Sequence, residues 1–316
     1  MPESRASHLI AVFSMAAIAA VWGGGFPATK YCLQAGLSVG ALLTLRFAIG
    51  TLGLGLMLVF LKVPLRRREV LDGLWLGLVL VTLFWLQTDG LRFTTTSKSG
   101  FITGLYVIFT PMVALLVGDR LRPSHGLGAL VALLGLALLV REPGLAWGGW
   151  NRGDSETLLA AVGCGFHIVM TSHFSRRSSG WVLAFVQVAV TGAVSLVVTL
   201  MLPAPFGFQG AGTALSQAGT WVSLGFMGIL ATSLAFYVQS AMQARLGATE
   251  SGILLSTEPV WTAAIAVSGL VPGIREHLSP LQLMGGLLIL AATLVTELGP
   301  RLLRRLAPIE AEDTIG

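Results

Sequence analysis

The sequence predicts an all-α integral membrane protein: ten transmembrane helices, arranged as two inverted five-helix repeats around a central cavity. Three observations predict it. Of 316 residues, 54% are hydrophobic and only 11% charged, with a mean hydropathy of +0.80, against about 25% charge in a soluble domain. The apolar residues fall in continuous runs, one per span of roughly 20 residues, so ten spans use about 200 positions and leave no room for a soluble catalytic domain. Finally, the second half of the chain repeats signals of the first.

In order, the apolar runs are Leu9–Tyr31, Val39–Leu61, Val70–Leu91, Ser97–Val117, His125–Val140, Thr157–Phe174, Trp181–Leu202, Thr220–Met242, Ser251–Pro272 and Leu281–Leu298. The first reads as a span and not a cleaved leader, because apolarity continues to Phe26 and further spans follow. The runs do not alternate, which argues against a β-barrel. With the N-terminus cytoplasmic, thirteen Lys and Arg fall in inside segments and six in outside ones, with only Arg46 inside a span. That bias predicts a plasma (inner) membrane protein with both termini cytoplasmic. Arg66-Arg67-Arg68 is first a topology signal and second an anionic-lipid contact.

The repeat places Lys98-Ser99-Gly100-Phe101 at the start of the fourth run and Glu250-Ser251-Gly252-Ile253 at the start of the ninth. Each run then carries a proline, Pro111 or Pro259, and each is followed by a loop ending Leu-x-Pro. Five helices per half, an odd number, set the halves in opposite senses. Such inverted repeats are a transporter architecture with its site near the midplane. The units are 9–141 and 154–298, followed by a cytoplasmic tail, 299–316.

These residues resemble the EamA-type ten-helix family of the drug/metabolite transporter superfamily. The resemblance rests on Trp22-Gly23-Gly24-Gly25-Phe26, Arg46-Phe47, Ser99 through Pro111, Glu258-Pro259-Val260 and the stretch from Arg275 to Leu290. Asp119-Arg120 departs from it, standing where the first-half loop often carries Gly-Glu-Arg. The resemblance implies a secondary transporter, usually an exporter of amino acids or other small metabolites.

Glu258 is the sharpest single feature. A carboxyl near mid-depth must face water, pair or carry a proton, so it reads as a proton carrier, a partner for a cationic group, or a packed glutamic acid locking two helices. Trp261 and Thr262 follow one turn on and share its face. Pro259 and Pro111 free the carbonyls of Leu255 and Val107, marking broken helices. Ser99, Thr103, Tyr106 and Thr110 make a polar stripe that suits a cavity wall or interhelical hydrogen bonds. Arg46 and Asp89, both toward the outer ends of their spans, are read as a structural ion pair. Trp85 shares the face of Asp89, and His167 shares one with Thr171. His167 either titrates during transport or packs through a hydrogen bond. Trp22 and Tyr237 are candidate cavity rings, and Lys30 is expected to snorkel outward. Trp147, Trp150, Trp181 and Trp221 read as interfacial anchors.

Other classes are disfavoured. Cys32 and Cys164 form no metal-ligand spacing, so no metal or cofactor is expected. No phosphate loop follows Gly23-Gly24-Gly25, and no hydrolase motif occurs. The net charge of +5 is scattered between apolar runs, unlike a nucleic-acid surface. The expected partners are a small-molecule substrate and the bilayer, as a monomer or homodimer. A flippase or a carrier for a lipid-linked or nucleotide-linked sugar, sharing this architecture, is the alternative.

Overall fold

A computed structural model describes residues 5–118, 123–139 and 149–306; Asp119, Arg120, Arg141 and Trp147 lie outside them. The described residues are all-helical. The helices are α1 (Arg5–Gln34), α2 (Val39–Phe60), α3 (Arg67–Gly90), α4 (Thr96–Thr103), α5 (Tyr106–Ala114), α6 (Pro123–Leu139), α7 (Arg152–Ser175), α8 (Gly180–Met201), α9 (Ala211–Leu215), α10 (Ala218–Gly225), α11 (Ala235–Leu255), α12 (Glu258–Ser268) and α13 (Pro280–Leu306). A π-helical stretch, Phe226–Leu234, joins α10 to α11. Six of these segments are long and apolar enough to cross a membrane: Ala6–Gln34, Val39–Phe60, Arg67–Gly90, Arg152–Ser175, Gly180–Met201 and Ala218–Leu246. Gly126–Leu139 and Pro280–Ala292 are shorter apolar helices.

Two expected boundaries change. The loop foreseen between Met242 and Ser251 is helical, and the chain reverses direction within α11. Gly219 sits against Tyr31 near one end of α1, and Arg245 donates to Ser7 near the other (2.9 Å). The Glu258 carbonyl then lies back at the level of Gly23. At the C-terminus, residues 299–306, expected as tail, continue α13.

Small residues set the packing. α1 lies against α11 and α12, α3 against α7 and α8, and α6 pairs with α13. A Cβ on Gly73 or Gly77 would meet Val186 or Val190 at 2.6 and 2.7 Å, so α3 rides on α8 through its glycine face. A Cβ on Gly135 would stand 2.7 Å from the Gly285 carbonyl oxygen, so α6 and α13 cross backbone to backbone. In a bilayer, where lipid is as apolar as leucine, this close approach replaces the hydrophobic effect as the force joining helices.

Both ends of the bundle are laced by charge. At one end, Asp72 of α3 accepts from Arg177 Nη2 (2.6 Å), Arg177 Nε (3.0 Å) and Ser178 Oγ (2.8 Å). At the other, buried Lys98 pairs with Asp154 (2.6 Å) and donates to the Gly149 carbonyl. Asp154 also completes a capping box with Asn151 at the start of α7. Glu276, from the loop before α13, accepts the Thr96 and Ser97 amides at 2.5 and 2.8 Å and so caps α4. Lys30 reaches to the end of α3 and the loop after it, donating to the carbonyls of Leu91 (2.6 Å) and Thr94 (3.0 Å).

Gly135→Ala is expected to destabilise the purified protein by about 1–3 kcal/mol through overpacking, read as a lower chemical-denaturation midpoint. Gly126→Ala, where a Cβ meets nothing within 4 Å, should leave the midpoint unchanged or slightly raised.

Candidate functional site

Two helix breaks build the site. The fourth run breaks at Gly104–Leu105, between α4 and α5, and the ninth at Ser256–Thr257, between α11 and α12. Each break falls four residues after its Ser-Gly pair, at Gly100 or Gly252. Bonding tightens at both: Leu105 N reaches Ile102 O (3.1 Å), and Thr257 N reaches Leu254 O (3.4 Å). The first residue of the following helix is Tyr106 in one case and Glu258 in the other. The proline signal is corrected here. Pro111 lies inside α5, beyond the break, whereas Pro259 does stand at the start of α12, where a missing amide is harmless.

The breaks touch one another. A Cβ on Gly104 would stand 2.8 Å from Pro259 Cγ, and one on Gly100 would stand 2.7 Å from Thr262 Cγ2. On the other flank, a Cβ on Gly23 would be 2.6 Å from Trp261 Cβ and 2.9 Å from the Glu258 carbonyl oxygen. Gly23 of α1, Gly100 of α4 and Gly104 at the break therefore let α12 start deep in the bundle.

Beside the breaks lies a partly open cavity. Its polar groups are Glu258 from α12, Tyr106 and Thr103 beside the first break, Arg46 from α2, Gln87 and Thr88 from α3, His167 from α7 and Gln239 from α11. Its apolar wall combines four aromatic rings, Trp22, Phe26, Phe84 and Phe236, with aliphatic side chains such as Leu83 and Ile168. Phe236 is the hub, with ring centroids 5.5 Å from Trp22, 6.2 Å from Phe84 and 5.9 Å from His167. Trp22 Nε1 is held by the Ala231 carbonyl (2.9 Å), in the π-helical stretch. Gln87 Nε2 donates to Thr103 (3.2 Å). His167 Nε2 meets Gln187 Oε1 at 2.7 Å, and Gln187 Nε2 donates onward to Ser240 (3.4 Å), so His167 is both hydrogen-bonded packing and cavity wall. The Tyr106 hydroxyl and Gln239 Oε1 are buried with no hydrogen-bond partner among the described residues.

The sequence-derived candidates divide. Glu258, Tyr106, Thr103, Trp22 and His167 meet at the cavity. Of the α4 stripe, Ser99 turns instead to Thr157 (3.3 Å) and Thr110 to the Tyr106 carbonyl (2.7 Å). Trp261 leaves the set: it is 46% exposed, because α1 packs through Gly23 against its base and turns the ring outward. Tyr237 leaves it too, stacked on Trp181 at 3.6 Å. Trp85 donates to Ser195 (3.1 Å) and lines a separate recess with Phe206 and Arg152.

The Arg46–Asp89 pair does not form. Asp89 is taken by Arg92 and Arg152, each at 2.6 Å. Arg46 turns inward, donating from Nε to Thr232 (3.0 Å) with its guanidinium 4.6 Å from the Phe84 ring centroid. Gln87, Gln239 and Phe236 were not singled out as cavity residues. For the glutamines, a mid-run amide was the available signal; nothing local distinguishes Phe236 from a core phenylalanine.

A helical, multi-pass bundle with a partly polar cavity beside two broken helices is the build of a membrane transporter. The EamA-like transporter family model matches residues 9–141 and 151–298, and the chain belongs to that family. An "Uncharacterized transporter" of Archaeoglobus fulgidus is 31% identical over 294 residues, covering 92% of this chain and 87% of its own. A solved structure described only as "Crystal structure of protein" superposes with a TM-score of 0.66 at 20% identity, covering 96% of this chain and 100% of that one. At that identity the likeness shows the fold alone.

Because Asp89 and Arg46 have separate partners, Asp89→Asn and Arg46→Met should act additively on stability. A double-mutant cycle is expected to give a coupling under about 0.5 kcal/mol; a direct pair would exceed it.

Proposed function

We propose that the protein is a secondary active transporter that exports amino acids or related small polar metabolites by alternating access, with Glu258 in its coupling machinery. The observation that carries this reading is the cavity itself. It places a carboxyl, a guanidinium, a phenol and two amides among aromatic rings, beside two helix breaks that touch each other. Such a lining suits a small molecule with charged ends and an apolar body, because rings bury the body while a few polar groups fix its orientation. Discontinuous helices at mid-bundle are the usual place for such sites.

In this reading the ten apolar runs are ten spans, with α4–α5 and the end of α11 with α12 forming the fourth and ninth. The two halves are inverted repeats, in which Tyr106 and Glu258 occupy equivalent positions. The protein lies in the inner membrane with both termini cytoplasmic, and the Asp72–Arg177 lattice marks the cytoplasmic end. The halves rock about the cavity, exposing it to each side in turn.

Purified protein in liposomes is expected to accelerate exchange of L-phenylalanine over protein-free vesicles. Glu258→Gln should flatten the pH dependence of that rate; a profile unchanged from the unsubstituted protein removes Glu258 from coupling. Single cysteines at Arg67 and Arg177 should react with impermeant maleimide from the cytoplasmic side alone.

A further inference from the structure

Among the described residues, Arg46 makes no salt bridge. It is 4% exposed, within an apolar helix, and no carboxylate among the described residues lies within ion-pairing distance of it. A guanidinium presents five N–H donors and accepts nothing. Here Nε is spent on the Thr232 hydroxyl, no hydrogen bond from the Nη groups is made among the described residues, and Arg46 lines the cavity. A charge at membrane depth almost always pairs or faces a water-filled cavity, and the obvious carboxylate, Asp89, is committed to two other arginines.

The surroundings hold this arginine in place. The Phe84 ring lies 4.6 Å beneath the guanidinium carbon and the Phe47 ring 5.5 Å from it, which fixes the plane of the fork by cation–π attraction. Thr232 is delivered by the π-helical stretch, close enough that a Cβ on Gly50 would meet its methyl at 2.6 Å. The fork is thus rigid before any ligand arrives, and a preset planar fork matches the two oxygens of a carboxylate.

We propose that Arg46 is the residue that recognises the substrate's carboxylate, and that the cavity therefore selects carboxylate-bearing molecules over amines of the same shape. This rests on the reading of the cavity as the transport site. Glu258 shares the cavity, and a second group of opposite charge there favours a zwitterion and disfavours a dianion such as a phosphate ester. Phe84 and Phe236 line the same cavity, where an apolar side chain is received.

The test uses the purified full-length protein and three probes: L-phenylalanine, phenethylamine, which lacks the carboxylate, and 3-phenylpropionate, which lacks the ammonium. Binding is read by isothermal titration. Arg46→Gln is expected to weaken phenylalanine at least about tenfold, the scale of one charged hydrogen-bonded contact, and to weaken 3-phenylpropionate equally. Phenethylamine should change by less than about twofold. Arg46→Lys, which keeps the charge without the fork, should recover part of the loss. Equal weakening of all three probes would mean that Arg46 only holds Thr232 and the π-helical stretch, and overturns the proposal. Phenethylamine binding the unsubstituted protein as tightly as phenylalanine also overturns it, leaving the carrier reading intact. Failure of all three to bind the unsubstituted protein overturns both.

Discussion

Inside a bilayer no water is present to satisfy a stray backbone amide or carbonyl, so the chain leaves the helix only where protein or a cavity replaces water. Everything distinctive here follows from that constraint. The breaks at Gly104–Leu105 and Ser256–Thr257 lie against each other and beside the cavity, and tighter turn bonds carry the backbone across them. At the end of α4 away from its break, the Thr96 and Ser97 amides are taken by Glu276 from a distant loop. A half-helix of eight residues is held because both of its ends have found partners.

The same constraint governs the charges. Lys98 and Asp154 are buried together, and losing either would strand the other at a penalty of about 3–5 kcal/mol. The Arg152–Glu156 pair has its arginine 61% exposed and contributes little, since solvent screens it. Distance from water, more than the number of ion pairs, ranks what each charge does for the fold.

Much of this was legible in the sequence, and the misses have physical reasons. The membrane class follows from apolar runs that no soluble fold could hide. The Ser-Gly repeat locates both breaks better than the prolines do, because the breaks keep a fixed distance from Gly100 and Gly252 whereas Pro111 has drifted along α5. Glu258 was visible because a charge inside a run is rare. Periodicity placed Trp261 on its face but could not register Gly23, whose missing side chain lets α1 occupy that side. Depth along a run suggested Arg46 with Asp89, but the true partners of Asp89 include Arg152, a residue from the other half of the chain. Tyr237 and Tyr106 look alike in sequence; only Trp181, on a neighbouring helix, tells them apart.

The π-helical stretch, Phe226–Leu234, has a consequence of another kind. It supplies Thr232 to Arg46 and the Ala231 carbonyl to Trp22, and it stands immediately before the helix that carries Phe236 and Gln239. A wider turn changes the rotational phase of all that follows, and one residue more or less turns an α-helix by about 100°. Which face of α11 looks into the cavity is therefore written in the length of the preceding segment as well as in its composition. Relatives that gain or lose a residue there would present a different set of side chains to the same space, with every other wall unchanged. Insertion and deletion, more than substitution, would then be the quickest evolutionary route to a new cargo.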